Sequence, residues 1–143
     1  MPDRTPHPAD ATPAEWAVLS DMDGTLLDTE STWLLVIEDF VRRHSGADDS
    51  ALVSSLQGFD LDRAAATLRS RLSLEMTTAA VADELDRRSI EAYAGGVSWT
   101  PGARSLLAAL AAAQVPLALV TSSPRHWVQR FAQTVDLSVF DVI

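Results

Sequence analysis

The sequence has 143 residues, with eleven basic side chains against twenty acidic ones and a net charge of −9, and is long enough for one domain with a buried core. That balance lacks the basic footprint of general nucleic-acid binding. The absence of cysteine removes disulfide frameworks and zinc–thiolate sites, and no apolar run approaches the length of a membrane span.

Residues 1–14 read as a Pro-rich, polar, disordered tail. They lack the character of a signal peptide, so an intracellular, cytoplasmic protein is expected. Thr12-Pro13-Ala14-Glu15 has the form of a capping box with Pro at the first helical position. The apolar run Ala17 to Leu19 has no helical period and ends in two carboxylates. It predicts a buried parallel strand that delivers charge at its C-terminal edge, where open α/β sheets bind ligands. Asp21 and Asp23 are two apart and share a strand face. Gly24 then permits a sharp turn and a close backbone approach to a ligand.

After Asp28 the pattern becomes helical. Trp33, Val36, Ile37, Phe40, Val41 and His44 recur at three- and four-residue spacing, and Gly46 suits the left-handed end of that helix. A weaker helix is expected over 47–56, broken by Gln57-Gly58-Phe59-Asp60. Leu61, Ala64, Ala65, Leu68 and Leu72 form another stripe. A fourth helix over 78–94 turns Val81, Leu85 and Tyr93 inward and stops at Gly95-Gly96. Four helices are far more than a direct βα crossover needs, so this stretch reads as an inserted helical module.

From Thr100-Pro101 the α/β pattern resumes, with Thr100 as cap, Pro101 as start and Leu106, Leu107 and Leu110 as a buried face. Leu117 to Thr121 is a second apolar strand with a polar end. Ser123-Pro124 opens a helix with Trp127, Val128, Phe131 and Val135 inward, and 139–143 begin a third strand. The expected fold is α/β, a Rossmann-like parallel sheet (incomplete in this chain) with an inserted α-helical cap. The tail spans 1–14, the core 15–29 and 96–143, and the cap 30–95.

Two adjacent carboxylates repel, so they favour a bound cation or one raised pKa. Mg²⁺ suits such oxygen ligands and keeps positions open for phosphate oxygens. One carboxylate can attack as a nucleophile while the other moves protons. A Ca²⁺ loop of EF-hand type needs Gly at position six and Glu at twelve; here Gly24 falls at four and Thr32 at twelve.

Asp21-Met-Asp23-Gly24-Thr25-Leu26 resembles motif I of the haloacid dehalogenase-like phosphohydrolases. The resemblance implies Asp21 as nucleophile and Mg²⁺ ligand. It implies Asp23 as proton shuttle, with its backbone carbonyl on the same metal. Thr121, at the end of an apolar strand, matches motif II, with Ser122 adding a backbone N–H and Gly24 lying at the phosphate. A hydroxyl ahead of a helix N-terminus is also a chemically sound phosphate cradle.

A helical module between motifs I and II is the family's C1 cap arrangement, which closes over the site and reads the substrate. Gln57 and Gly58 would lie in its specificity loop, although an ordinary interhelix turn explains them equally well. Asp28-Thr29-Glu30 with Trp33 is similar to the sugar-phosphate phosphatases of this superfamily. β-Phosphoglucomutases typically carry His at the place of Trp33 and Arg in the cap loop; neither is present. Trp33 lies on the apolar stripe and reads first as core, and Asp28 as a helix cap. Arg125 stands where it can meet an anionic substrate group, though a solvated position is the simpler reading for it and for His126. His44 sits at a helix C-terminus, where a cation is welcome.

The family's basic motif III and acidic motif IV find no match in these residues, and no Lys occurs at all. A Lys-dependent phosphonoacetaldehyde hydrolase is excluded on that ground. Asp23 argues against a haloacid dehalogenase. The expectation is therefore the N-terminal part of a Mg²⁺-dependent phosphohydrolase, monomeric and inactive alone, for a small phosphorylated metabolite such as a sugar phosphate. A phosphomutase and a non-catalytic binding or interaction protein are the rivals.

Overall fold

The computed structural model describes residues 16–143; the tail and the capping box at Thr12 lie outside them. Strand β1 (Val18–Asp21) is followed by helices α1 (Glu30–Ser45), α2 (Ser50–Ser55), α3 (Leu61–Arg71) and α4 (Thr78–Ala92). Helix α5 (Ala103–Ala112), strand β2 (Leu117–Val120) and helix α6 (Arg125–Phe131) complete the order. β1 and β2 pair in parallel, with Val18 opposite Leu117 and Asp21 opposite Val120. The expected third strand appears as a single parallel bridge between Ala118 and Val142, held by Leu119 N–H to Val142 O and Asp141 N–H to Leu117 O, both 2.9 Å.

The helical stripes sit where their periodicity puts them. Trp33, Val36, Ile37, Phe40 and Val41 of α1 are buried, as are Ala64, Ala65 and Leu68 of α3 and Val81 and Leu85 of α4. Helix α3 packs against α4, and α1 against α4 and α2. Gly46 closes α1 at φ 72° and donates its N–H to Arg42 O, the left-handed cap expected of it. Asp49, Asp60 and Thr77 cap α2, α3 and α4 through side-chain oxygens that accept backbone N–H groups. The stop at Gly95-Gly96 is a short 3₁₀ turn over Tyr93–Gly95.

Several expectations need correcting. Among the described residues β1 is covered on one face only: Leu19 is 71% exposed, and Val120, opposite Asp21 on β2, is 52% exposed. A continuous apolar run does not distinguish a strand covered on both faces from one covered on one. Leu106 is likewise exposed, unlike Leu107. Helix α5 begins at Ala103 rather than at Pro101, with Gly102 at its cap position. The Thr100 hydroxyl instead donates to Thr25 O at 2.7 Å. Asp28 does not cap α1; its carboxylate accepts from the Ser31 hydroxyl at 3.3 Å, and Thr29 holds the cap position.

The chain leaves and re-enters the sheet side by side. Leu27 and Trp99 form an antiparallel bridge. Asp28 N–H donates to Ser98 O and Thr100 N–H to Leu26 O, each at 2.9 Å. This short ladder ties together the two ends of the helical insertion, directly below the carboxylates.

Candidate active site

The site begins with a turn. Gly24 takes φ 68°, and its N–H donates to Leu27 O while the N–H groups of Leu26 and Leu27 both donate to Met22 O, all at 2.9 Å. A side chain at Gly24 would be strained in that left-handed conformation. The turn leaves the backbone carbonyl of Asp23 without a backbone partner among the described residues. It also brings the Thr25 hydroxyl back to Asp21 Oδ2 at 2.9 Å.

Asp23 is the most heavily bonded side chain of the site. Its Oδ1 accepts from the Thr29 hydroxyl at 2.8 Å. Its Oδ2 accepts from the Thr121 hydroxyl at 2.9 Å and from the Ser123 hydroxyl at 2.8 Å. Three hydroxyl donors from two segments, one after β1 and one after β2, fix both the position and the rotation of one carboxylate. Thr121 Oγ1 in turn accepts from Ser123 N–H at 2.9 Å. Because β1 and β2 are neighbours, residues 98 apart in sequence meet directly.

Asp21 and Asp23 open into a cavity of about 130 Å³ between the sheet end and the helices. Ser122, Ser123 and Pro124 line it from the β2 side, and Trp127 from α6. Glu30 and Trp33 of α1 and Gly58 to Leu61 close it from above. Glu30 Oε1 accepts the Gly58 N–H at 3.1 Å, which fastens the loop after α2 to the start of α1. Tyr93 is buried beneath, its hydroxyl donating to Thr29 O at 3.0 Å. Burial, with the Asp23 and Glu30 carboxylates nearby, raises the phenol above its ordinary range and keeps it protonated.

The structure thus brings together Asp21, Asp23, Thr121, Ser122 and Gly58, with Gly24 in the turn that shapes them. Two sequence candidates do not line this cavity: Gln57 is exposed, and Arg125 lines an adjoining hollow together with Thr121, Ser123, Val128 and Leu137. Thr29, Ser123 and Tyr93 were missed by sequence reasoning. Ser123 carried a readable signal, an extended Thr-x-Ser step that turns two hydroxyls to one side. Thr29 and Tyr93 carried none, because their contacts depend on how the helical insertion folds back.

Among the described residues, no group of three or more His, Cys, Asp or Glu side chains converges on a metal-sized site. The donors present are hard oxygens only: the exposed Asp21 carboxylate and the Asp23 carbonyl. That set fits a cation that takes one or two protein oxygens and keeps its remaining positions for water and phosphate, as Mg²⁺ does.

Comparison with solved structures finds the same fold. β-Phosphoglucomutase from Clostridium difficile superposes with a TM-score of 0.73 at 18% identity, covering 89% of this chain and 60% of that one. CbbY from Rhodobacter sphaeroides, in complex with phosphate, gives 0.66 at 21% identity, covering 89% and 61%. A predicted phosphoglycolate phosphatase from Haemophilus somnus gives 0.67 at 20% identity, covering 88% and 60%. The chain therefore spans about 60% of the length of these neighbours. Comparison with curated proteins finds no match. Residues 18–143, from the first strand to the last residue, match the haloacid dehalogenase-like hydrolases, and with the Asp-x-Asp-Gly turn seated at the end of a parallel strand the chain belongs to that family.

Proposed function

We propose that this chain serves a phosphohydrolase for small phosphomonoesters, working through an aspartyl-phosphate on Asp21, with a sugar phosphate as a candidate substrate. The observation that carries the reading is the pairing of an exposed Asp21 with an Asp23 whose carboxylate is fixed by Thr29, Thr121 and Ser123. Neighbours named a phosphoglucomutase, a predicted phosphatase and a protein in complex with phosphate support it. Helices α1 to α4 would act as the cap.

An Asp21 carboxylate oxygen attacks phosphorus and the bond to the leaving oxygen breaks. Asp23, protonated, gives its proton to that oxygen. Water then attacks phosphorus, Asp23 takes a proton from it, and phosphate leaves with Asp21 restored. Asp21 and the Asp23 carbonyl would hold Mg²⁺, which when bound supplies charge neutralisation at the phosphoryl oxygens.

A phosphomutase must hold a second phosphate. No Arg, Lys or His lines the cleft among the described residues, which favours the hydrolase. The same lack predicts slow turnover by these 143 residues, so the test is single-turnover. Excess protein with Mg²⁺ and p-nitrophenyl phosphate is quenched and assayed for released phosphate and hydroxylamine-labile label. Label on Asp21 is expected, with none in Asp21→Asn and a longer-lived label in Asp23→Asn. Unchanged turnover in Asp21→Asn would refute the nucleophile. A wild-type chain that neither labels nor releases phosphate would favour a binding protein.

A further inference from the structure

The helical insertion is joined to the rest of the chain by two crossings, at residues 27–29 and 96–99, tied to each other at the Leu27–Trp99 bridge. Away from those crossings, polar contact across the cleft runs through one side chain. Among the described residues, hydrogen bonds between residues 30–95 and residues 113–143 are made by Asp86 of α4 alone. Its Oδ1 accepts from the Trp127 indole Nε1–H at 2.6 Å and from His126 Nε2 at 2.7 Å. Short N–H bonds to a carboxylate are among the stronger hydrogen bonds in proteins.

Trp127 is also a wall of the cleft. Its buried ring lines the cavity with Asp21 and Asp23, and stands edge-on to Trp33 of α1 and to Tyr93, with ring centroids 5.7 and 5.8 Å away. On the outer side, Asp86 and His126 line a wider hollow of about 600 Å³ that shares Asp60, Leu61, Ser122 and Pro124 with the cavity. The Asp86 bonds therefore stand where the cleft passes into that hollow, between the insertion and the sheet. An insertion held by two short crossings can swing as a body about them, and separating α4 from α6 would widen this passage. Trp33 provides the gauge: its indole N–H is buried without a partner, so closed packing shields it from water and no hydrogen bond does.

We infer that Asp86 is a positioning residue and the latch of the cleft: through Trp127 and His126 it holds the helical insertion down on the sheet side and fixes the indole wall beside Asp21 and Asp23, and its release opens the passage. The buried indole supplies most of the hold, because the His126 side chain is half exposed. The latch governs access for any small ligand of the cleft and does not depend on the phosphohydrolase reading.

The measurement is hydrogen exchange of the indole N–H groups in the 143-residue chain labelled with ¹⁵N, the resonances being assigned with Trp33→Phe and Trp127→Phe. In Asp86→Ala the Trp33 N–H is expected to exchange roughly tenfold faster, the value of one hydrogen bond to a charged group. Asp86→Asn, which keeps an acceptor, should restore most of the protection. Leu107→Ala is the control, a buried α5 position that lines neither hollow. It should speed the slowest backbone amides, which exchange through global unfolding, and leave the Trp33 rate unchanged. An Asp86→Ala effect confined to Trp127 would make the bond a local one and overturn the latch. So would an equal acceleration of Trp33 in Leu107→Ala, because that indole would then be exposed only by global unfolding. Inorganic phosphate with Mg²⁺ should slow Trp33 exchange in the wild type, since a ligand of the closed cleft stabilises it. Absence of that slowing beside the full Asp86→Ala effect would support the latch and count against the phosphohydrolase.

Discussion

Asp86 on α4 accepts a 2.6 Å hydrogen bond from the indole of Trp127 on α6, 41 residues away. The same oxygen accepts from His126 Nε2 at 2.7 Å. One carboxylate therefore joins the helical insertion to the helix that follows β2, beside the cleft. The two donors are unequal: Trp127 is 6% exposed, while the His126 side chain is 50% exposed.

That inequality sets the first prediction. Asp86→Ala leaves a buried indole N–H unpaired and should cost about 1–3 kcal/mol. His126→Ala removes a mostly solvated contact and should cost less than about 1 kcal/mol. Asp86→Asn, which keeps an acceptor, should fall between them. Urea midpoints of the three variants check the order. A His126→Ala loss as large as that of Asp86→Ala would show that the His126 contact, not the indole bond, joins the two helices.

How much of this site was legible beforehand depended on range. Asp21, Asp23 and Gly24 were visible because the strand end, the carboxylates and the turn are contiguous. Thr121 was visible because strand β2 repeats the same apolar-then-polar form. The helical faces followed from periodicity, which placed the buried residues of α1, α3 and α4, with His44, Leu61 and Leu72 at the ends of the stripes only half-buried. The exposed face of β1 was not legible, since an apolar run records that a strand is sticky and not what covers it. Nor was the partner of Thr121: a motif-II hydroxyl suggests a phosphate, and here it meets Asp23.

Ser123 gives the second prediction. Its hydroxyl is one of three that orient Asp23, and it makes no hydrogen bond to the Asp21 carboxylate. Because p-nitrophenolate leaves with little help from an acid, Ser123→Ala should leave the label on Asp21 forming from p-nitrophenyl phosphate while slowing its hydrolysis by roughly ten- to a hundredfold, the scale of a misplaced catalytic group. Single-turnover decay of the labelled protein measures this directly. A loss confined to label formation would place Ser123 with the phosphate instead.

A cluster of charges on the helical insertion gives a pH prediction. Asp39 accepts from Arg43 at 2.7 Å, Arg42 at 3.0 Å and Arg88 at 2.9 Å. The Arg43 hydrogen bond leads in holding Asp39 below the usual carboxylate range. At Glu84 burial raises the pKa, but the hydrogen bonds from Arg88 and His44 outweigh it, and the net direction is down. Carboxylates lowered in the folded state stabilise it above their unfolded pKa, and that contribution is lost as pH falls through the folded value. Stability should therefore hold near neutrality and begin to fall below about pH 4, with a total contribution of about 1 kcal/mol for this partly solvated network. Comparing urea midpoints of wild type and Glu84→Gln across that range tests it; identical acid limbs would remove Glu84 from the account.

The two faces of the sheet give the last prediction. Leu19, Ala118 and Val142 share one face through the pairing of β1, β2 and the Val142 bridge, whereas Leu117 and Leu119 point to the other. Leu19 is 71% exposed and Val142 63%, against 4% for Leu119. Leu119→Ala opens a cavity in the core and should cost about 2–5 kcal/mol. Leu19→Ala in the isolated chain should stay within about 0.5 kcal/mol. Among the described residues β1 pairs only with β2, so an apolar face adjoins a free backbone edge, a combination that favours self-association. Leu19→Lys with Val142→Lys should therefore leave the urea midpoint of dilute protein unchanged and lower its sedimentation-measured association at high concentration. If Leu19→Ala proved as costly as Leu119→Ala even in dilute protein, the Leu19 face would have to be covered in solution, and the one-sided sheet would be the wrong description of the folded chain.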